Sequence, residues 1–204
     1  WPEVGEGRLS VRLTDAMKTD WDDLIREEGL KPPVMIVANL PYNVGTPLLV
    51  GWLQRLDLFG EMSLMFQKEV AQRICAPANS NHYGRLAVLA QSVMRTRIAF
   101  TLPPGAFKPP PKVASSVATL FPLPENERFN SVEHLQTVAA AAFGQRRKML
   151  RASLKSIVPT GLTTEELLSQ AGIDPTRRAE TLSQSEFRTL TEAWLAAQSS
   201  SSNS

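Results

Sequence analysis

Val34-Met35-Ile36-Val37-Ala38-Asn39-Leu40-Pro41-Tyr42 is the stretch that decides the fold. Its first five residues form a short, unbroken apolar run, which predicts a buried strand. Pro41 fixes φ and removes a backbone donor that would compete at a site placed there. An open α/β sheet places its ligands beyond the carboxyl ends of its parallel strands. Asn39-Leu40-Pro41-Tyr42 occupies that position and is the first candidate site.

Downstream, Thr46 as N-cap and Pro47 at the first helical position predict a helix to residue 56. Residues 62–66 read as a short strand and 67–74 as an amphipathic helix. A second helix over 85–93 carries Leu86, Leu89, Ala90 and Val93 on one face. Strands are expected at 98–102 and 116–121, joined by a stiff proline-rich loop from Pro103 to Lys112. Upstream, residues 9–13 alternate like a strand and run into Thr14-Asp15-Ala16-Met17, and 20–28 have helical spacing up to Gly29. The composition shifts at residues 122–128, and the chain beyond them reads as helical. Helices are expected over 131–143 and 148–157, then from the capping box Thr163-x-x-Glu166. A short fourth opens at Asp174-Pro175, and the last runs from Ser183-x-x-Glu186 to Ala197. The expected organisation is an α/β part over 1–124, an all-α part over 125–198 and a disordered serine tail over 199–204.

At 204 residues the chain can hold one medium domain or one domain plus a small appendage. No apolar stretch is long enough to span a membrane, and no secretory leader is visible, so a cytoplasmic protein is expected. Cys75 is the only cysteine, which excludes an internal disulfide and any thiolate metal cluster. His82 and His134 stand apart without ligand spacing and read as surface or capping residues, so no metal is expected. Nothing resembles a coiled coil or a large apolar stripe, and a monomer is expected.

The net charge is only +2, so its distribution carries the information. Residues 70–124 contain no Asp or Glu, yet include Arg73, Arg85, Arg95, Arg97, Lys108 and Lys112. Arg146, Arg147, Lys148, Arg151 and Lys155 form a second basic run, while acidic residues crowd the first third. This polarity suits one face meeting a polyanion such as RNA; a solvated helix surface is the plainer alternative.

The chemistry that wants Asn-x-Pro-Tyr in this position is methyl transfer to the exocyclic amine of adenine. That nitrogen is a poor nucleophile, because its lone pair is delocalised into the ring. A side-chain carbonyl and a backbone carbonyl accepting from its N–H groups favour a pyramidal nitrogen and aim its lone pair at a methyl donor. Carbonyl dipoles also stabilise the positive charge that builds there. A tyrosine offers a flipped base a stacking face. A strand running into a turn is the bland reading of the same four residues.

The assembled segments resemble the small-subunit ribosomal RNA adenine dimethyltransferases of the KsgA (RsmA) type. They are Thr14-Asp15-Ala16-Met17, Asn39-Leu40-Pro41-Tyr42-Asn43, Phe66-Gln67-Lys68-Glu69-Val70-Ala71 and Tyr83-Gly84-Arg85-Leu86, followed by Phe107-Lys108-Pro109-Pro110-Pro111-Lys112-Val113, Phe143-Gly144-Gln145-Arg146-Arg147-Lys148 and Gly172-Ile173-Asp174-Pro175. The resemblance implies a class I, Rossmann-like methyltransferase sheet followed by a small helical domain. It implies transfer of methyl groups from S-adenosylmethionine to two adjacent adenosines near the 3′ end of small-subunit rRNA, on immature small ribosomal subunits. By the same resemblance, Asn39 and the Leu40 carbonyl would accept from the target amine, and Asn39 would also lie against the cofactor. Pro41 belongs to the same catalytic segment, and Tyr42 and Phe107 would sandwich the base. Asp15, with Ala16 beside it, would accept from the adenine amine of the cofactor; without the family, Asp15 reads as a strand-end turn residue. Arg85, Lys108 and Lys112 would lie near the RNA, and the basic run from Arg146 to Lys155 would hold phosphates.

The chain departs from the family at its start. The glycine-rich methyl-donor loop and the acidic residue that follows it are missing, and Gly5-Glu6-Gly7 lacks the third glycine and the strand–helix frame that such a loop needs. The expectation is a family member without its amino-terminal part, about a third of the whole. Two other readings compete: a large-subunit rRNA methyltransferase of the erythromycin-resistance type, which shares Asn-x-Pro-Tyr, and a non-catalytic RNA-binding assembly factor.

Overall fold

In the computed structural model, residue 7 and residues 9–41, 43–145 and 147–201 are described. Four strands form one mixed sheet in the order β1-β2-β4-β3. Strand β1 is Val34–Asn39 and β2 is Phe59–Gln67, parallel to it; β3 (Met94–Leu102) and β4 (Ser115–Pro122) are antiparallel neighbours, and β4 also runs antiparallel to β2. Helix α1 (Trp21–Glu27) precedes β1, and helices α2 (Gly45–Leu53), α3 (Lys68–Ile74) and α4 (Arg85–Gln91) lie between the strands in the chain. After β4 the elements are helical: α5 (Val132–Gly144), α6 (Leu150–Ser153), α7 (Thr164–Gln170) and α8 (Gln184–Ser201).

The strand predicted at 34–38 forms, but only one of its faces is buried. Side chains alternate across a strand, so Ile36 and Ala38 turn to the core while Met35 and Val37 stay 63% and 75% exposed. An unbroken apolar run predicts burial on both faces; β1 is an outer strand of this sheet, and among the described residues none covers the face that carries Met35 and Val37. The strand expected at 9–13 does not form. Its stretch lies irregular beside α1, held by Arg12 to Glu27 (2.7 Å) and Glu28 (2.5 Å) and by Ser10 to Glu28 (3.0 Å). A strand needs a neighbour for its backbone groups, and no described strand pairs with it.

Helix α2 begins one residue before the expected cap. Val44 is the N-cap without a side-chain bond, and the Pro41 carbonyl accepts from the Val44 and Gly45 N–H groups (3.2 and 3.1 Å). The turn made by Pro41 thus takes the place of Thr46 as the starting device, and Pro47 falls inside the first turn, where a missing donor costs little. The expected helix over 148–157 is shorter and broken: α6 is followed by a 3-10 turn, Leu154–Ser156. The helix expected from Asp174 is instead a turn, in which the Asp174 carboxylate accepts from the Thr176 N–H and hydroxyl, both at 2.8 Å. The Pro175 and Arg177 carbonyls accept from Arg151 (3.1 Å) and Leu150 (2.8 Å), so the loop caps α6 and cannot use those carbonyls for a helix of its own.

Both expected capping boxes form. Glu166 N–H donates to Thr163 Oγ1 at 3.2 Å while the Thr163 N–H donates to the Glu166 carboxylate at 2.8 Å, and Ser183 with Glu186 repeats the exchange at 3.2 and 2.7 Å. The tail expected from Ser199 remains helical to Ser201; residues 202–204 lie outside the described residues.

Arg177 also pairs with Glu186, and this hydrogen bond, ahead of the capping contacts, holds the Glu186 carboxyl at about 2, against an ordinary 4.5. A depressed carboxyl stabilises the fold above its unfolded value and loses that contribution as pH falls through the folded one. The pair's contribution, on the order of 1–2 kcal/mol after screening of a partly exposed pair, should therefore fade between pH 4.5 and 2. Glu186→Gln is expected to flatten the fall of the thermal midpoint over that window. Equal slopes in the variant and the wild type would refute the pairing as a source of acid lability.

Candidate active site

Asn39 is the last residue of β1, and its side chain lies on the exposed face with Met35 and Val37. The chain then turns through buried Leu40 and exposed Pro41 into α2. Beyond the carboxyl end of β1 lies a cavity of about 460 Å³, lined by Asn39, Leu40 and Pro41 from this turn, Met65 and Phe66 from β2, Phe107, Pro109 and Pro111 from the proline-rich loop, and Ser115 from β4. The structure thus brings Phe107 to Asn39, Leu40 and Pro41 across 68 residues of chain (107 minus 39). Tyr42 lies outside the described residues.

Packing explains why these groups meet. Met65 is the register partner of Asn39 in the parallel β1–β2 pair, and the Leu40 N–H approaches the Met65 carbonyl at 3.5 Å. Phe66 is buried at the end of β2, against the start of α2; a Cβ on Gly45 would come within 2.8 Å of its Cε1. The proline-rich loop is pinned at both ends, by β3 and by β4, and the Lys68 N–H donates to the Ala114 carbonyl at 2.9 Å. Phe107 is half-buried at the end of a 3-10 turn, Pro104–Ala106. Met65, Phe66 and Ser115 have no role that the sequence alone assigns. Phe66 stands in a family segment, but only the parallel pairing of β1 with β2 shows that it shares a wall with Leu40.

Other candidate residues lie elsewhere. Asp15 is exposed in a local turn: its carboxylate accepts from the Met17 N–H at 3.0 Å, and its carbonyl accepts from the Lys18 N–H (2.9 Å) and the Thr19 hydroxyl (3.0 Å). It is not among the residues lining the cavity, and Ala16 packs half-buried against the core. Lys108 and Lys112 are exposed on the proline-rich loop, flanking the wall that Pro109 and Pro111 supply. Arg85 opens α4 at a second cleft. Arg147, Lys148, Arg151 and Lys155 are all exposed around α6, and Arg146 lies outside the described residues. Among the described residues no cluster of His, Cys, Asp or Glu could hold a metal ion, and no helix is long and apolar enough to cross a membrane.

The arrangement has definite chemical capacities. Asn39, the one residue with a side-chain amide among the described residues that line the cavity, stands beside Leu40 and Pro41 among aromatic and proline walls. Among the described residues no ionisable group lines it. Such a wall can accept hydrogen bonds from a planar amine and hold a flat ring, and it offers no carboxylate or imidazole to serve as a proton-abstracting base.

A family model described as ribosomal RNA adenine dimethylase matches residues 2–195. A relative in Gluconobacter oxydans named Ribosomal RNA small subunit methyltransferase A is 51% identical, over 96% of this chain and 63% of its own length. One of the same name in Mesorhizobium japonicum is 54% identical, over 92% of this chain and 66% of the relative. The chain thus spans a little under two thirds of the curated relatives it matches. A solved structure of a dimethyladenosine transferase from Plasmodium falciparum superposes with a TM-score of 0.76 at 23% identity, over 97% of this chain and 77% of that one, which is a likeness of fold.

Proposed function

We propose that this chain, which belongs to the ribosomal RNA adenine dimethylase family, carries the target-base side of an enzyme that methylates the N6 amines of two adjacent adenosines near the 3′ end of small-subunit rRNA, twice each. The observation that supports this reading best is the meeting of Asn39, Leu40 and Pro41 with Phe107 around one cavity at the end of a parallel strand. The methyl donor expected of the family is S-adenosylmethionine, which supplies an electrophilic methyl group when bound. The exposed Asn39 carboxamide beside the outer edge of β1 fits the reactive end of that molecule.

The protein's own groups then have simple tasks. The Asn39 side-chain oxygen and the Leu40 carbonyl accept from the adenine amine and turn its lone pair out of the ring. Phe107, with Tyr42, holds the base flat. Asparagine is neutral, so no proton is removed before attack; the amine proton leaves once the nitrogen has become cationic. After the first methylation one N–H remains, and the site must hold the amine with fewer hydrogen bonds while leaving room for a methyl group. Lys108 and Lys112 would meet the RNA beside the base, Arg85 a neighbouring phosphate, and Arg146, Arg147, Lys148, Arg151 and Lys155 the backbone further out. Asp15, with Ala16, would border the adenine of the cofactor once further sheet is present.

The division into a sheet part over 1–124 and a helical RNA-binding part over 125–198 belongs to the same reading. So does the idea that family sequence ahead of this chain completes the sheet. The exposed side chains of Met35 and Val37, and an edge of β1 that no described strand covers, support it. Calorimetric titration with S-adenosylmethionine should show strong binding only when a strand and glycine-rich turn of the family precede this chain. Comparable micromolar binding by the 204 residues alone would make Asp15, Asn39 and their neighbours a sufficient pocket.

The deciding experiment is transfer of labelled methyl groups by the natural protein. Dimethyladenosine on immature small subunits, and none on large-subunit RNA, is the expected result. Methylation of large-subunit RNA would favour the erythromycin-resistance type, and RNA binding without methylation would favour an assembly factor. A monomer acting in the cytoplasm completes the reading.

A further inference from the structure

A second cleft, of about 310 Å³, lies between helices α2, α3 and α4 and the end of α5. Arg73 on α3, His82 and Arg85 before and at the start of α4, and Phe143 at the end of α5 form its walls, with Thr46 of α2 at one side. Among the described residues that line it none is acidic, and Arg73, His82 and Arg85 are all exposed. Glu69, one turn before Arg73, brings a carboxylate to this set and holds the Arg73 guanidinium at 2.5 Å. Both members of that pair are more than half exposed. The cleft is bracketed by functional segments: α2 starts four residues after Pro41 of the candidate active site, and from Phe143 the chain reaches exposed Arg147 in four more.

We propose that this cleft seats a ribose-phosphate unit of the substrate RNA between the base cavity and the basic surface around α6, and that Glu69 competes with the RNA phosphate for Arg73. The inference rests on the RNA methyltransferase reading given above. Its physical basis is the donor set. Two arginines and a histidine line it beside apolar Val70, Leu86 and Phe143, and planar guanidinium forks match phosphate oxygens while the apolar side can take the face of a ribose. The Glu69 carboxylate occupies the fork of Arg73 in the manner a phosphate oxygen would. RNA must displace or share that contact, so the pair lowers affinity for any polyanion that does not also engage Arg85.

The test is binding of a short fluorescent RNA hairpin, with two adjacent adenosines in its loop, to the natural protein at about 50 to 200 mM salt. Each phosphate contact contributes about one to the slope of log affinity against log salt. Arg85→Gln is expected to reduce the slope by about one and to weaken binding roughly fivefold at about 0.1 M salt. Glu69→Gln is expected to move the other way, tightening binding about threefold and steepening the slope by up to about one. A gain cannot come from misfolding, so this variant keeps the test decisive if an arginine variant proves unstable. Unchanged slopes in both variants, with a wild type that binds, would overturn the cleft assignment alone. The assignment also fails if millimolar inorganic phosphate raises the thermal midpoint of the wild type and not of Arg85→Gln while RNA slopes stay equal, since the cleft would then hold only a free ion. A wild type that binds no RNA would overturn the functional reading itself.

Discussion

Asn39→Ala in the natural protein is expected to slow methyl transfer by about a hundredfold or more, at both methylation steps. Loss of one preorganised dipole at a centre of developing charge costs about 2.7–4 kcal/mol in comparable sites. Asn39 carries the only side-chain amide among the described residues lining the cavity; Leu40, its neighbour, also lines it, and the substitution leaves its backbone carbonyl, the second acceptor of the proposed site, in place. The variant should therefore retain part of its activity. The exposed position of Asn39 at a strand end makes a large loss of stability unexpected, so RNA affinity should change little. Single-turnover rates for the unmethylated and the monomethylated adenosine would separate the two steps. A rate near wild type at both would sink the role assigned to Asn39. A loss confined to the second step would mean that Asn39 holds the monomethylated amine and that another group activates the first attack.

How much of the fold and the site is legible in the sequence depends on the range of the forces involved. The strand at 34–38 and the helix starts at Thr163 and Ser183 are readable because their signals are local: an apolar run, and a side chain three residues from its partner. The start of α2 differs from expectation because the capping group is a backbone carbonyl, that of Pro41, which no residue type announces. The start of α6 at Leu150 and the missing helix at Asp174 are invisible for a related reason. Both involve hydrogen bonds between segments about twenty-five residues apart, from Leu150 and Arg151 to the loop around Arg177. At the candidate site, chemistry points to Asn39 and Pro41, and the family resemblance to Phe107. Nothing local points to Met65 and Phe66, because their place in the wall comes from strand register. Residues 9–13 show the converse. Their alternation is a sound strand pattern, but a pattern does not supply the neighbouring strand that would pair with it.

Phe187→Ala is expected to cost about 3–5 kcal/mol, a large part of the roughly 5–15 kcal/mol that holds a typical domain together. Phe187 is fully buried on α8, and its ring stacks on Phe143 of α5 with centroids 5.6 Å apart. Phe143 meets Tyr83, also fully buried, edge to face at 5.9 Å. This row of three rings joins the helical segments to the loop that presents Arg85. Hydrogen bonds run along the same seam: the Asn79 N–H donates to the Glu180 carbonyl at 2.9 Å, and the Gln184 side-chain amide donates to the Ala87 carbonyl at 3.3 Å. Removing the ring leaves a cavity at the seam that neither side can fill without moving a helix. The wild type should consequently unfold in one cooperative transition, with the stretch after residue 124 sharing the stability of the sheet. Phe187→Leu, which keeps most of the volume, should cost far less than the alanine change. Denaturant titration monitored by both fluorescence and circular dichroism checks each point. A loss under about 1 kcal/mol, well below the usual cost of deleting a buried ring, or two separate transitions in the wild type, would show that the rings do not couple the two parts. In that case the basic surface around α6 would be tethered to the base cavity by the chain alone, and the cleft at Arg85 would have no fixed geometry in which to hold RNA.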